Sequence, residues 1–138
     1  YMDTLNREEP LPLVLMGDFN AYPNSEEVRF WQEDPRFTSV FSTMDRHETL
    51  RKTFHDFEAG YQGEPIDYIF VFKTTQIKSG SIIYSKVDNM YPSDHYPVCA
   101  RINIPVYIKR RKGIFPSFFY IYFKDSSLRG NFVLTISI

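Results

Sequence analysis

The apolar residues of this chain fall into short runs and alternations rather than helical stripes. Leu11 to Met16 ("LPLVLM") is a near-continuous run that ends at Gly17, and its length and flanking proline suit a buried strand. Ile66 to Phe72 ("IDYIFVF") is β-branched and aromatic throughout and is the clearest strand of the chain. Its alternation sets Asp67, Ile69 and Val71 on one side and Ile66, Tyr68, Phe70 and Phe72 on the other. In "PVCARINI" the inward set is Val98, Ala100, Ile102 and Ile104, against Cys99, Arg101 and Asn103. Between the first two strands, "AYPNSEEVRFWQE" predicts a turn at Pro23 and Asn24 and then a helix. Ser25 is placed to cap it, and Glu26 and Glu27 sit at the positive end of its dipole. Phe37 to Phe41 predicts a short strand or an irregular segment, residues 51–65 a turn-rich surface loop, and Ser81 to Tyr84 a further strand before the long connection "SKVDNMYPSD".

Length and composition narrow this to one globular domain: 138 residues, 43% hydrophobic and 24% charged, is enough for a proper core and too little for two comfortable ones. The single cysteine, Cys99, excludes an internal disulfide framework and leans towards a reducing compartment. The opening "YMDTLNREEP" has no apolar h-region, so no signal peptide is predicted, and localisation stays open with the cytoplasm as default. A first residue other than Met is compatible with a fragment or a processed product.

Charge changes the picture more than composition does. Residues 1–104 hold 10 Lys and Arg against 16 Asp and Glu, whereas residues 105–138 hold 6 against 1. A protein that grips nucleic acid by phosphate neutralisation alone would carry the opposite balance in its main body, so a phosphate handled by the front needs help from a cation. The break in composition after Ile104 predicts that residues 105–138, with their basic run Lys109 to Lys112 and the stretch "GIFPSFFYIYF", do not belong to the domain formed by 1–104. That apolar stretch is too short to span a membrane and is broken by Pro116. A weaker reading makes residues 109–123 a nucleic-acid or membrane-surface element, against a plain solvated basic run.

Chemistry is sought where polar residues terminate apolar strands, and three places qualify: "GDFN" (Asp18, Asn20), "IDYIF" (Asp67) and "PSDHYPV" (Asp94, His95). Singly each is a commonplace turn or strand-end feature. Jointly they supply carboxylates, an amide and an imidazole, the groups needed to activate a water and stabilise charge on a phosphoester. An imidazole hydrogen-bonded to a carboxylate is held in one tautomer, and hard cations prefer carboxylate oxygens.

The three motifs in this order resemble the C-terminal half of the endonuclease/exonuclease/phosphatase superfamily, over about residues 11–104; deadenylase-like bacterial and fungal members are the most similar. The resemblance implies an α+β fold, part of a four-layer α/β/β/α sandwich of the DNase I type, truncated at its N-terminus. It implies a metal-dependent phosphoester hydrolase, nuclease, phosphodiesterase or phosphatase, using Mg²⁺ or Mn²⁺ on a nucleic acid, a phospholipid or a sugar or inositol phosphate. Asp18 would position or deprotonate the attacking water and face the metal, and Asn20 would contact the phosphate. Asp67 would hydrogen-bond His95, which would stabilise a non-bridging phosphate oxygen, while Asp94 would face the metal or its water shell. The "TFH" element, Thr53 to His55, resembles a loop bordering the substrate cleft; for His55, substrate contact and a surface histidine stand as equal alternatives.

The family's first half supplies a metal-binding glutamate and an early asparagine, and Glu8 and Glu9 lie too close to the "GDFN" strand to replace them. The chain by itself is therefore expected to be inactive or nearly so. A non-catalytic binding module that keeps the fold is the alternative. No stable protein partner is implied; a sheet face without its partner layer invites self-association, unless the aromatic tail covers it.

Overall fold

The structure is a computed structural model that describes residues 13–44, 51–103 and 131–136. Its elements in chain order are β1 (Val14–Asp18), α1 (Glu26–Glu33), β2 (Phe37–Ser39), a 3₁₀ turn (Val40–Thr43), β3 (Asp67–Phe72), β4 (Gln76–Ile82), β5 (Val98–Asn103) and β6 (Asn131–Ile136). They form two antiparallel sheets, ordered β1-β3-β2 and β4-β5-β6. The fold is the expected α+β arrangement of two packed sheets with a helix outside. Leu11, Ile104, Glu8, Glu9 and the basic and aromatic stretch 109–123 lie outside the described residues.

β3 is the spine. Asp67 to Val71 are buried on both faces of the strand, which is why its sequence reads as a continuous apolar run rather than a half-polar alternation. One face packs on the helix layer: Phe72 meets Phe37 edge-on at 5.4 Å, and Phe37 meets Trp31 of α1 at 5.3 Å. Both faces join one continuous core, in which Ile69 and Val71 cluster with Val98, Ala100 and Ile102 of β5, with Val40 and Phe41 of the 3₁₀ turn and with Met44 just after it. Phe41 meets Tyr68 edge-on at 5.8 Å. β5 follows its predicted alternation, with Val98, Ala100 and Ile102 buried and Arg101 exposed.

Local differences from expectation have identifiable causes. Ser25 occupies the N-cap of α1, yet its hydroxyl donates backwards to the Tyr22 carbonyl at 2.7 Å and caps nothing; it closes the preceding turn instead. β4 starts at Gln76 rather than Ser81 and ends at Ile82. "QIKSGS" has little strand propensity, and its extended form is imposed by pairing with β5, where it is exposed on its polar side. Residues 131–136 add β6 to the far edge of β5, a strand that the sequence pattern did not single out. Among the described residues no helix is long and apolar enough to cross a membrane.

At Gly80 the 3₁₀ turn packs close on β4. A Cβ there would lie 2.5 Å from Val40 Cγ1 and 3.2 Å from the Val40 carbonyl oxygen, and a backbone atom cannot swing aside. Gly80→Ala is expected to destabilise the chain by about 1–3 kcal/mol through overpacking. A urea unfolding curve checks this, and an unchanged midpoint would contradict the packing described.

Candidate functional site

The site is assembled by strand register. β1 and β3 pair antiparallel with Asp18 directly opposite Asp67, and residues opposite one another in such a pair project from the same face. Gly17, at φ +153, occupies the strand position before Asp18 in a backbone region that side chains disfavour. The chain then turns sharply. The Phe19 N–H donates to the Ile66 carbonyl at 2.8 Å, and the Asn20 N–H donates to Asp18 Oδ1 at 2.7 Å in an Asx-type turn. Asn20 itself sits at φ 49, a left-handed conformation that asparagine tolerates. The strand thus ends at Asp18 and Asn20 lies in the turn beyond it: Asn20 is exposed while Asp18 is half-buried.

Tyr68 ties the two loops that carry these residues. Its hydroxyl lies 2.7 Å from the Pro65 carbonyl and 3.0 Å from the Ala21 carbonyl, so it links the segment after Asp18 to the one before Asp67. Burial first, and then the charges of Glu64 and Asp67, push this phenol above its ordinary value of 10 and keep it a donor.

His95 arrives from the other sheet, at the entrance to β5. Its Nδ1 lies 2.9 Å from Asp67 Oδ2, and both side chains are largely buried. A carboxylate accepts and does not donate, so Nδ1 carries the proton and Nε2 is left for a ligand. His95 is held in turn by Ser93, whose hydroxyl accepts from the His95 N–H at 3.1 Å, and by Phe54, whose ring centroid lies 5.1 Å from the imidazole.

Three ligand-capable groups thus come together: atoms of Asp18, Asp67 and His95 lie within 4.8 Å of one another. Facing carboxylates repel, and burial strengthens that repulsion, so the arrangement calls for a positive charge. Asp67 Oδ1 is buried without a hydrogen-bond partner, which points the same way. The His95 nitrogen nearest Asp67 is already committed to Oδ2, so a cation would be held through carboxylate oxygens of Asp18 and Asp67 rather than through that nitrogen. An oxygen set of this kind fits a hard divalent cation.

Asp94 is not in that cluster. Its Oδ1 accepts from the Ser93 hydroxyl at 3.3 Å, and its carbonyl accepts from the N–H groups of His55 and Asp56 at 2.8 and 3.2 Å. His55 is 1% exposed, so it is not a surface histidine. Its ring stacks on Tyr96 with centroids 4.0 Å apart and 27° between planes, and lies 4.4 Å from Tyr91. The motif reading missed Thr53. This fully buried residue accepts from the N–H groups of Ile66 and Asp67 through its hydroxyl, at 2.9 and 3.2 Å, and from the Tyr96 N–H through its carbonyl at 2.6 Å. The "TFH" triplet flagged the segment, but nothing in its pattern distinguished a bracing hydroxyl from a solvated one.

Comparison with known proteins gives concordant matches. The model of the endonuclease/exonuclease/phosphatase family matches residues 3–95. A solved mannosyl-6-phosphatase from Bacteroides thetaiotaomicron VPI-5482 is 26% identical with a TM-score of 0.60, the match covering 73% of this chain and 41% of that one. An endonuclease/exonuclease/phosphatase from Bacteroides vulgatus is 27% identical with a TM-score of 0.60, covering 75% and 41%. A functionally unknown conserved protein from Enterococcus faecalis V583 is 28% identical with a TM-score of 0.54, covering 73% and 40%. The chain thus spans about two-fifths of the length of these solved relatives. No curated protein matches it.

Burial of His55 has a measurable consequence. Desolvation, opposed by the nearby charge of Asp94, holds its imidazole below the ordinary 6.5. The unfolded chain then binds a proton that the folded chain resists, so this contribution to stability is complete above pH 6.5 and is lost progressively as the pH falls below it. The urea midpoint of the wild type is expected to fall between pH 7 and pH 5 more steeply than that of His55→Phe. Parallel curves for the two proteins would show that His55 charges freely in the fold.

Proposed function

The chain belongs to the endonuclease/exonuclease/phosphatase family, and from that premise we propose that its site serves metal-assisted hydrolysis of a phosphoester. The observation that carries this reading is the register of β1 on β3, which sets Asp18 opposite Asp67 with His95 Nδ1 2.9 Å from the latter. Asp18 and Asp67 would hold a Mg²⁺ or Mn²⁺ ion, which when bound would supply positive charge to offset the phosphate oxygens.

The chain's own residues do the rest. The Asp18 carboxylate, held by the Asn20 N–H, orients the attacking water and accepts its proton. Asn20, exposed beside it, offers an amide to the phosphate. Asp67 fixes the imidazole so that Nε2 faces the phosphate. When protonated there, His95 donates to a non-bridging oxygen, and the Asp67 carboxylate offsets the charge. Asp94, outside the cluster, would act on a bound ion only through its water shell.

Among substrates, a sugar phosphate is the first choice. The mannosyl-6-phosphatase among the similar structures supports it, and the acidic balance of residues 1–104 argues against a nucleic acid held mainly by its backbone charge.

Because the chain spans about two-fifths of its solved relatives, ion binding is read directly. Mn²⁺ added to the labelled chain is expected to broaden the NMR signals of Asp18, Asp67 and His95 first, and Asp18→Asn is expected to abolish this. Uniform broadening, or broadening that Asp18→Asn leaves in place, excludes the assigned site. Where Mg²⁺-dependent turnover of mannose 6-phosphate is measurable, His95→Ala and Asp18→Asn should each lower it by about 10²-fold or more. Turnover that survives both changes would remove these residues from the chemistry.

A further inference from the structure

His55 is a puzzle if its role is sought in its nitrogens. Both are buried without a hydrogen-bond partner, and the ring has no open side. Its surroundings suggest a different use. Residues 53–55 run antiparallel to residues 94–96: the Tyr96 N–H donates to the Thr53 carbonyl at 2.6 Å, Phe54 bridges His95, and the His55 N–H donates to the Asp94 carbonyl at 2.8 Å. Alternation along this short ladder sends Thr53 and His55 inward and leaves Phe54 outward, its ring against the imidazole of His95. The inward ring of His55 then stacks on Tyr96, the residue that follows His95.

Both chain neighbours of His95 are consequently gripped by one residue, Asp94 through its carbonyl and Tyr96 through its ring. We propose that His55 is a positioning residue for His95, acting through the flat shape of its ring and its backbone N–H, and not through its nitrogens. This rests on the reading of His95 and Asp67 as the reactive pair. The physical argument is one of packing. Side chains in a dense interior hold each other's rotamers, and truncating a ring that is 1% exposed opens a cavity into which Tyr96 can relax. Relaxation of Tyr96 turns the adjoining His95 backbone, and a 2.9 Å contact to Asp67 does not survive a shift of about an ångström.

The test is ring NMR of His95 in the whole chain, with the amide signals of Ile69, Phe70 and Val71 as the measure of an intact core. The wild type is expected to show a single tautomer protonated at Nδ1. His55→Ala is expected to lose that signature while the core signals stay in place, and His55→Phe, which keeps a flat ring and has no nitrogen, is expected to recover it. His55→Leu fills much of the volume without a flat face; it is expected to behave like His55→Ala and provides the folded comparison should that variant unfold. If His95 keeps its Nδ1–H in His55→Ala or in His55→Leu, the positioning role is overturned and the reactive pair stands. Failure of His55→Phe to recover the signature overturns it as well, since the nitrogens would then matter. A wild type without the Nδ1-protonated tautomer overturns both this inference and the reading on which it rests.

Discussion

Two carboxylates facing each other across an antiparallel pair are the arrangement on which this structure turns. Asp18 and Asp67 are opposite because β1 and β3 pair over five residues from Val14↔Val71 to Asp18↔Asp67. Both faces of β3 are packed from Asp67 to Val71, so a slip by one position would exchange the residues of the two packed faces and part Asp18 from Asp67. The apolar strand residues thus hold the acidic pair together against its own repulsion. A cation that relieves the repulsion would bind to a site that packing has already formed.

The imidazole is a different matter, because it comes from the second sheet. His95 precedes β5, and the core shared by β3 and β5 brings it to Asp67. The segment 53–55 then braces both partners at once. Thr53 accepts from the Asp67 N–H and from the Tyr96 N–H, so a single buried residue spans the gap between the sheets at the level of the chemistry. Geometry at the site is therefore as rigid as the packing between sheets, and substitutions well away from any ligand can reach it. Gly80, which lets the 3₁₀ turn lie close on β4, is one such remote support.

Much of this was legible in the residue pattern. β3 and β5 could be read because their burial leaves a local signature, continuous in one and alternating in the other. The motifs "GDFN", "IDYIF" and "SDH" marked Asp18, Asp67 and His95, whose ligand-capable atoms lie within 4.8 Å of one another. β4 was misplaced because "QIKSGS" has no strand preference of its own and is extended only by its neighbour. The turn at Asn20 was not legible, because β1 ends at Asp18 and the left-handed backbone that follows, at φ 49, leaves no mark in the alternation.

By itself, then, the sequence determined which segments are buried strands and which polar residues stand at their ends, since both depend on neighbours along the chain. Only the tertiary structure decided which of those residues meet. It joined Asp67 to His95 across two sheets, left Asp94 outside the cluster, and buried the ring of His55 against Tyr96. The physical reason is that such contacts link residues far apart in the chain, and their distances are set by how two sheets pack rather than by any local preference of the residues that touch.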